Sequence, residues 1–275
     1  MLKTEFEDCV QSLRQIGAPF AIATIVRTVD ATSAKPGDKA VILETGAIAQ
    51  GWVGGGCARS AVSRAAKDAM QEGKPRFVSL RPEELLDAEG VQPGDERDGV
   101  KFARNGCPSK GSMDIFIEPV IPTPQLIICG SGPVAMALAD MGKRFDFNRT
   151  LCAPGIIASD APPVERMIEG FAFETETAAE HFIVIATQGK GDEAALRAAI
   201  ASGASYIAFV GSRRKYETLR DRLIADGIPA DAFAAVKSPA GLDIAAITPD
   251  EIALSVLAEI IAKRRARQRP EKGAT

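Results

Sequence analysis

The sequence predicts an α/β chain of two domains, and three observations carry that prediction. The continuous apolar run 126–129 leads into Gly130-Ser-Gly-Pro-Val-Ala135 and then a helical stretch to residue 143. This is G-x-G-x-x-A in the strand–turn–helix setting that a dinucleotide fingerprint requires. Beyond it, apolar strands and amphipathic helices keep alternating, the pattern of a Rossmann-like parallel sheet. Ahead of it, Pro119-Val-Ile-Pro-Thr-Pro124 stiffens an extended connection, and the chain before that is β-rich with irregular glycine loops. The expected architecture is an N-terminal mixed α+β domain (1–121), a Rossmann-like domain (122–247), a C-terminal helix bridging the two (248–265) and a flexible tail (266–275).

Composition narrows the function. The 275 residues are 46% hydrophobic and 25% charged with net charge −3, the profile of a globular protein with no basic surface for nucleic acid. No apolar stretch approaches a membrane span, and the acidic start is no signal peptide, so a cytoplasmic protein is expected. Five cysteines at 9, 57, 107, 129 and 152 form no C-x-x-C pair, which argues against a disulfide framework or zinc knuckle. With one histidine, His181, imidazole triads and H-E-x-x-H sites are nearly excluded. No dedicated metal site is expected, and covalent or soft-ligand chemistry falls to sulfur.

In the first domain, residues 4–16 read as an amphipathic helix stopped by Gly17, and 20–29 as a buried strand. Residues 40–43 and 47–53 pair through Thr45-Gly46. Next comes Gly51-Trp-Val-Gly-Gly-Gly-Cys-Ala-Arg-Ser60. Ala58, Ala61, Val62, Ala65, Ala66, Ala69 and Met70 then fall on one helical face, with Gly73 as the stop. Glycine backbone folds tightly and presents N–H groups, and Cys57 stands near a helix N-terminus, where the dipole favours a thiolate and attracts phosphate. The plainer alternative is a glycine turn before a buried helix, with Cys57 as a small core residue. Residues 76–80 form a strand, and the polar, acidic 81–99 stretch is expected to be a mobile surface loop. A second cysteine loop, Asn105-Gly-Cys-Pro-Ser-Lys-Gly111, offers a thiol with Ser109 and Lys110 ahead of a strand at 113–118. Its plainer alternative is an exposed turn with a chance cysteine.

In the second domain, Pro133 suits the first helical turn because its missing N–H is not needed there. The acid that reads a ribose hydroxyl is absent from Thr150-Leu-Cys-Ala-Pro-Gly155. Strands at 182–186 and 206–210 end at Thr187-Gln188 and Gly211-Ser212, which topology places on the same sheet edge as Gly130 and Gly132. Asp192 is expected to cap a helix to 202. Of Arg213, Arg214 and Lys215, at least two are expected to be solvated. Thr248-Pro-Asp-Glu251 is a capping box opening the last helix, whose face of Ile252, Ala253, Val256, Leu257 and Ile260 is expected to pack across both domains. The basic end from Lys263 to Arg269 is expected to fray.

The glycine–cysteine loop, the Cys107 loop, the Gly130 fingerprint, Gly211-Ser-Arg-Arg-Lys215 and Ser238-Pro-Ala-Gly-Leu-Asp-Ile244 occur in that order, and the last runs on into residues 248–261. Together they resemble the XdhC/CoxI family of molybdoenzyme maturation proteins over nearly the whole chain. The Cys107 loop is most similar to the CoxF type linked to carbon monoxide dehydrogenase. The resemblance implies a cofactor chaperone more than a turnover enzyme. Such a protein binds the molybdenum cofactor in a molybdopterin dinucleotide form, assists its sulfuration and delivers it to the large subunit of an apo-molybdoenzyme. Further implied partners are a cysteine desulfurase and a second copy of the chain. On this reading Cys57 and Cys107 are the reactive thiols, holding metal or relaying sulfur. Gly54, Gly55, Gly56, Arg59, Ser109 and Lys110 bind cofactor oxygens, and Gly130, Ser131, Gly132, Pro133, Ala135, Thr187, Gln188, Gly211 and Ser212 bind the nucleotide. The chain departs from the family's Ser-Gly-Gly-Cys-Val-Glu at Gly54-Gly-Gly-Cys-Ala-Arg59, and from its Asp-Pro-Arg at Ala153-Pro-Gly155. The alternative is an oxidoreductase that binds NAD or FAD at the fingerprint and uses a cysteine thiol.

Overall fold

The computed structural model describes residues 3–108, 110–175, 179–204 and 206–268. The chain forms two compact units, the first ending at Pro122 and the second spanning Thr123–Ala266.

The first unit runs α1 (Lys3–Gln15), β1 (Phe20–Val29), β2 (Lys39–Leu43), β3 (Ile48–Gly51), α2 (Gly56–Glu72), β4 (Arg76–Arg81), α3 (Glu83–Glu89), β5 (Glu96–Arg97), β6 (Val100–Arg104) and β7 (Ser112–Val120). Its sheet has the order β3-β2-β1-β7-β4-β6-β5. The alanine stripe of α2 packs on this sheet, with Ala61, Val62, Ala65, Ala66 and Ala69 buried against Ile25, Val78, Leu80, Ile115 and Ile117. Methyl side chains let the helix lie close to the strands. Each buried isoleucine on the other side contributes about 2 kcal/mol of apolar transfer.

Two expectations are corrected here. The 81–99 stretch is ordered: it holds α3 and β5, and Leu86 and Val91 pack under Phe102 of β6, a strand absent from the sequence reading. Its acidic residues disguised the anchor, since Glu89 pairs with Arg81 while Leu86 alone of the helix is buried. The linker is also shorter than six residues. Pro119 and Val120 continue β7, paired with Ala21 and Phe20. The β4 ladder on the other side of β7 ends at Ile117, so Pro119 needs no N–H there.

The second unit runs β8 (Gln125–Cys129), α4 (Pro133–Gly142), β9 (Asn148–Ala153), β10 (Arg166–Glu169), β11 (His181–Ile185), α5 (Asp192–Ala201), β12 (Tyr206–Phe209), α6 (Arg213–Ala225), β13 (Val236–Lys237) and α7 (Pro249–Gln268). The order is β10-β9-β8-β11-β12-β13, and every neighbouring pair is parallel. Counted within the unit, this is 3-2-1-4-5-6, the arrangement of dinucleotide-binding folds, with its topological switch between β8 and β11. Apolar clusters cover both faces: Leu126, Ile128 and Val184 meet α4 and α7, while Ile127, Ile183 and Ile185 meet α5 and α6.

The apolar face of α7 is spent within this unit, with Ala253, Val256, Leu257 and Ile260 fully buried in the cluster around Leu126. The helix therefore has a packing partner where a bridge across two domains was expected. Its start is the anticipated capping box, Glu251 N to Thr248 Oγ1 at 3.3 Å and Thr248 N to Glu251 Oε2 at 2.9 Å. Its basic end does not fray at once. Lys263 lies over Tyr206, and Arg264 lies over Phe147 and donates to Phe145 O. Arg269 and the rest of the tail lie outside the described residues.

Candidate functional site

Cys57 is the second residue of α2, as the glycine run implied, with Gly55 as the N-cap. Only Gly54 of the three glycines takes a left-handed φ, +106°. A Cβ there would stand 3.3 Å from Ala58 Cβ and 3.4 Å from Ser33 Oγ, whereas Gly55 and Gly56 face open space. The second cysteine loop comes over this helix start. A Cβ on Gly106 would lie 3.8 Å from Cys57 Sγ, and the Cys107 thiol stands beside Cys57. The neighbouring Cys57 thiol raises the Cys107 pKa above the ordinary thiol value, burial and the neighbour's charge add to it, and the Cys57 backbone N–H opposes it.

One residue outside the predicted set makes this meeting possible. Asn105 is buried, donates through Nδ2 to Gly111 O at 2.6 Å and accepts through Oδ1 from Cys107 N at 3.1 Å. It closes the loop on itself and sets where Cys107 stands. Gly111 is equally constrained, since a Cβ would meet Ala31 O at 2.4 Å.

From the Cys57 sulfur a groove of about 660 Å³ opens between α2 and β6, lined among others by Ser60, Arg64, Asp68, Lys101 and Arg104. Cations outnumber the carboxylate, and Asp68 is engaged by Lys101 at 2.8 Å. Arg64 makes no ion pair among the described residues, and Arg104 meets Glu83 only at 3.4 Å on the surface. The groove combines a soft end with an anion-attracting wall, in the size range of small-molecule sites. The spacing 57, 60, 61, 64, 68 is one helical face and was visible in the sequence, but only the placement of β6 makes it a wall.

The other cations of the predicted site are turned elsewhere. Arg59 is exposed, with its guanidinium 4.8 Å over the Trp52 ring. Lys110, at φ +50°, pairs with Glu84 of α3. Ser109 lies outside the described residues.

In the second unit the fingerprint residues gather at the switch point. Gly130 has φ +135°, and a Cβ there would meet Ala186 O at 2.3 Å, so β8 and β11 leave room for glycine alone. Gly132 caps α4, Pro133 is its first residue, Ala135 is buried behind the loop, and Ser131 is exposed. Gln188, left-handed at φ +52°, lays its carboxamide against Gly132, 2.5 Å from where a Cβ would be. Thr187 is buried and bonds Asp192.

Asp192 itself is the first residue of α5 and not its cap. It accepts from Gly189 N at 3.2 Å and pairs with Lys215 at 2.5 Å. Burial opposes its ionisation, and the bonds from Lys215, Thr187 and Gly189 outweigh that and hold its carboxyl below the usual range. This tie joins the ends of β11 and β12. Ser212 caps α6 by accepting from Lys215 N at 3.3 Å, and a Cβ on Gly211 would strike the Phe209 ring at 2.7 Å. Arg213 and Arg214 make no ion pair among the described residues, as expected for a solvated first turn.

Among the described residues no group of three His, Cys, Asp or Glu side chains converges as for a resident metal ion. None of the described helices is long and apolar enough to cross a membrane.

Comparison with known proteins agrees with this architecture. Residues 126–260 match the family model of the XdhC Rossmann domain, and residues 13–81 match that of the XdhC and CoxI family. The uncharacterized protein YqeB of Escherichia coli (strain K12) is 29% identical over 264 residues, 90% of this chain and 44% of that protein. A probable xanthine dehydrogenase subunit of Bacillus subtilis (strain 168) is 30% identical over 166 residues, 56% of this chain and 47% of that protein. The chain thus spans about half the length of the curated relatives it matches. A crystal structure of a xanthine dehydrogenase from Bacillus halodurans is matched over 97% of both chains, at a TM-score of 0.43 and 19% identity. With both units matched in order, the chain belongs to the XdhC and CoxI family.

Proposed function

We propose that this protein is a maturation factor that receives the molybdenum cofactor as cargo, assists its sulfuration and passes it to a molybdenum hydroxylase. The observation that carries the reading is Cys107 beside Cys57, with Cys57 lining a cationic groove. Two thiols are soft donors suited to a sulfur-bearing metal centre, and either is able to carry persulfide sulfur. Arg64 and Arg104 offer charge to the cargo's phosphate and pterin oxygens, and the N–H groups at the α2 start add to them. The Gly130 edge suits the nucleotide of a molybdopterin dinucleotide. The partner we favour is the large subunit of an apo-enzyme of the carbon monoxide dehydrogenase type, on the strength of the Cys107 loop, with a cysteine desulfurase as sulfur source.

The test is co-expression with the partner apo-enzyme, with molybdenum content and pterin fluorescence of the isolated protein as second readouts. Cys57→Ser with Cys107→Ser should lower maturation at least tenfold and reduce bound molybdenum. Full maturation by the double variant would remove the thiols from the mechanism. The thiol contact also favours a second reading, an NAD- or FAD-binding thiol oxidoreductase. Stoichiometric flavin in the absorption spectrum of the purified protein would select it.

A further inference from the structure

The fingerprint edge lacks its ribose acid at the end of the second strand of the unit, where Ala153 stands. We propose that Glu169, on the neighbouring strand β10, supplies that carboxylate and reads the adenosine ribose hydroxyls of a dinucleotide. The inference rests on the reading of the Gly130 edge as a dinucleotide site.

The register places Glu169 there. Ala153 and Glu169 are partners in the parallel β9–β10 ladder, and Gly170 N bonds Ala153 O at 3.1 Å. Cys129 and Cys152 are partners in the β8–β9 ladder, and Gly130 N bonds Cys152 O at 2.8 Å. Gly130, Ala153 and Glu169 therefore end three adjacent strands on one edge. Glu169 begins one strand further from the fingerprint than the usual acid, about 4.8 Å. Its side chain recovers that distance: Oε1 accepts from Gly155 N at 2.8 Å, two residues beyond Ala153. The carboxylate thus hangs over the end of β9, the place of the missing group. Glu169 is exposed, and no other partner of its carboxylate is found among the described residues, so Oε2 remains to accept from a hydroxyl. The space is open, because Gly155 is left-handed at φ +67° and a Cβ there would meet nothing within 4 Å. A carboxylate in this position accepts two ribose O–H donors and repels a 2′-phosphate, so the pocket favours nucleotides with a free 2′-hydroxyl.

The experiment is isothermal titration of the full chain with ADP-ribose, 2′-deoxy-ADP-ribose and 2′-phospho-ADP-ribose. In the wild type ADP-ribose should bind tightest. Glu169→Ala should weaken ADP-ribose about tenfold or more and the deoxy analogue, which offers only its 3′-hydroxyl, clearly less. Glu169→Gln keeps the bond to Gly155 and should lose most of the discrimination against the 2′-phosphate. Ala153→Asp in the Glu169→Ala background should restore ADP-ribose binding. Equal loss for ADP-ribose and its deoxy analogue would mean that Glu169 only holds the Gly155 turn, and would overturn the proposal. So would unchanged binding in Glu169→Ala, with the fingerprint reading left intact. A wild type that binds none of the three would overturn both.

Discussion

The two units place their chemistry by opposite means. In the second, strand order and register do the work: once β8 and β11 lie side by side in parallel, Gly130, Thr187 and Gln188 have nowhere else to be. In the first, two irregular loops meet because of individual bonds, above all those of Asn105. A site made by topology is robust to surface change and intolerant of a misplaced Cβ. A site made by a few polar contacts can lose its geometry while its fold survives.

The sharpest way to break this contrast is at the glycines. Gly130→Ala sets a side chain at φ +135° against Ala186 O, and should cost more than about 4 kcal/mol of the second unit's stability. Gly55→Ala, in open space at φ −73°, should cost less than about 1 kcal/mol of the first. Denaturant unfolding checks both, because Trp52 reports on the first unit while Tyr206 and Tyr216, the only tyrosines, report on the second.

Next in size is Asn105→Ala, which strands Gly111 O and Cys107 N and should cost about 2 kcal/mol in the first unit alone. It should also speed alkylation of Cys107 by iodoacetamide, since the loop that Asn105 closes holds Cys107 beside Cys57. An unchanged rate would mean that the loop holds without it.

Acid should separate the units less steeply. Glu165 sits below the ordinary carboxylate range mainly through its bond from Arg149. Burial opposes ionisation of Glu259, and bonds from Lys237, Tyr206 and Gly241 N outweigh it. With Asp192 these depressed groups stabilise the second unit above the unfolded values, 4.5 for Glu and 3.8 for Asp, and that contribution is lost as pH falls through the lower folded ones. In the first unit the described carboxylate so shifted is Glu84, which is fully exposed. Tyrosine near-ultraviolet dichroism should therefore collapse at higher pH than Trp52 fluorescence, and Glu259→Gln should flatten its acid limb.

The smallest effect is expected from Arg59→Ala. It removes an exposed cation over Trp52 and should cost under about 1 kcal/mol, read as a slight shift in Trp52 emission and Tm.

What was legible in the sequence divides along the same line. The fingerprint, the alternation and the capping box carry their own local physics, so the parallel sheet and the start of α7 could be read directly. Cys57 and Cys107 were each visible, but their meeting depends on strands distant in the chain and on a side-chain bond that no spacing encodes. The acidic 81–99 stretch misled because composition averages over a segment, while one buried Leu86 and one buried Val91 suffice to anchor it. Short strands such as β10 and β13 escaped because two to four residues show no period; a ladder alone makes them strands.

That brevity bears on how the molecule meets copies of itself. Both sheets end in stubs: β3 has four residues, β5 two, β10 four and β13 two. An incoming strand would find at most four residues of open ladder on any rim, too little to template growth. Short rims of this kind guard the chain against zippering rim to rim with its copies, so any self-association is left to side-chain surfaces.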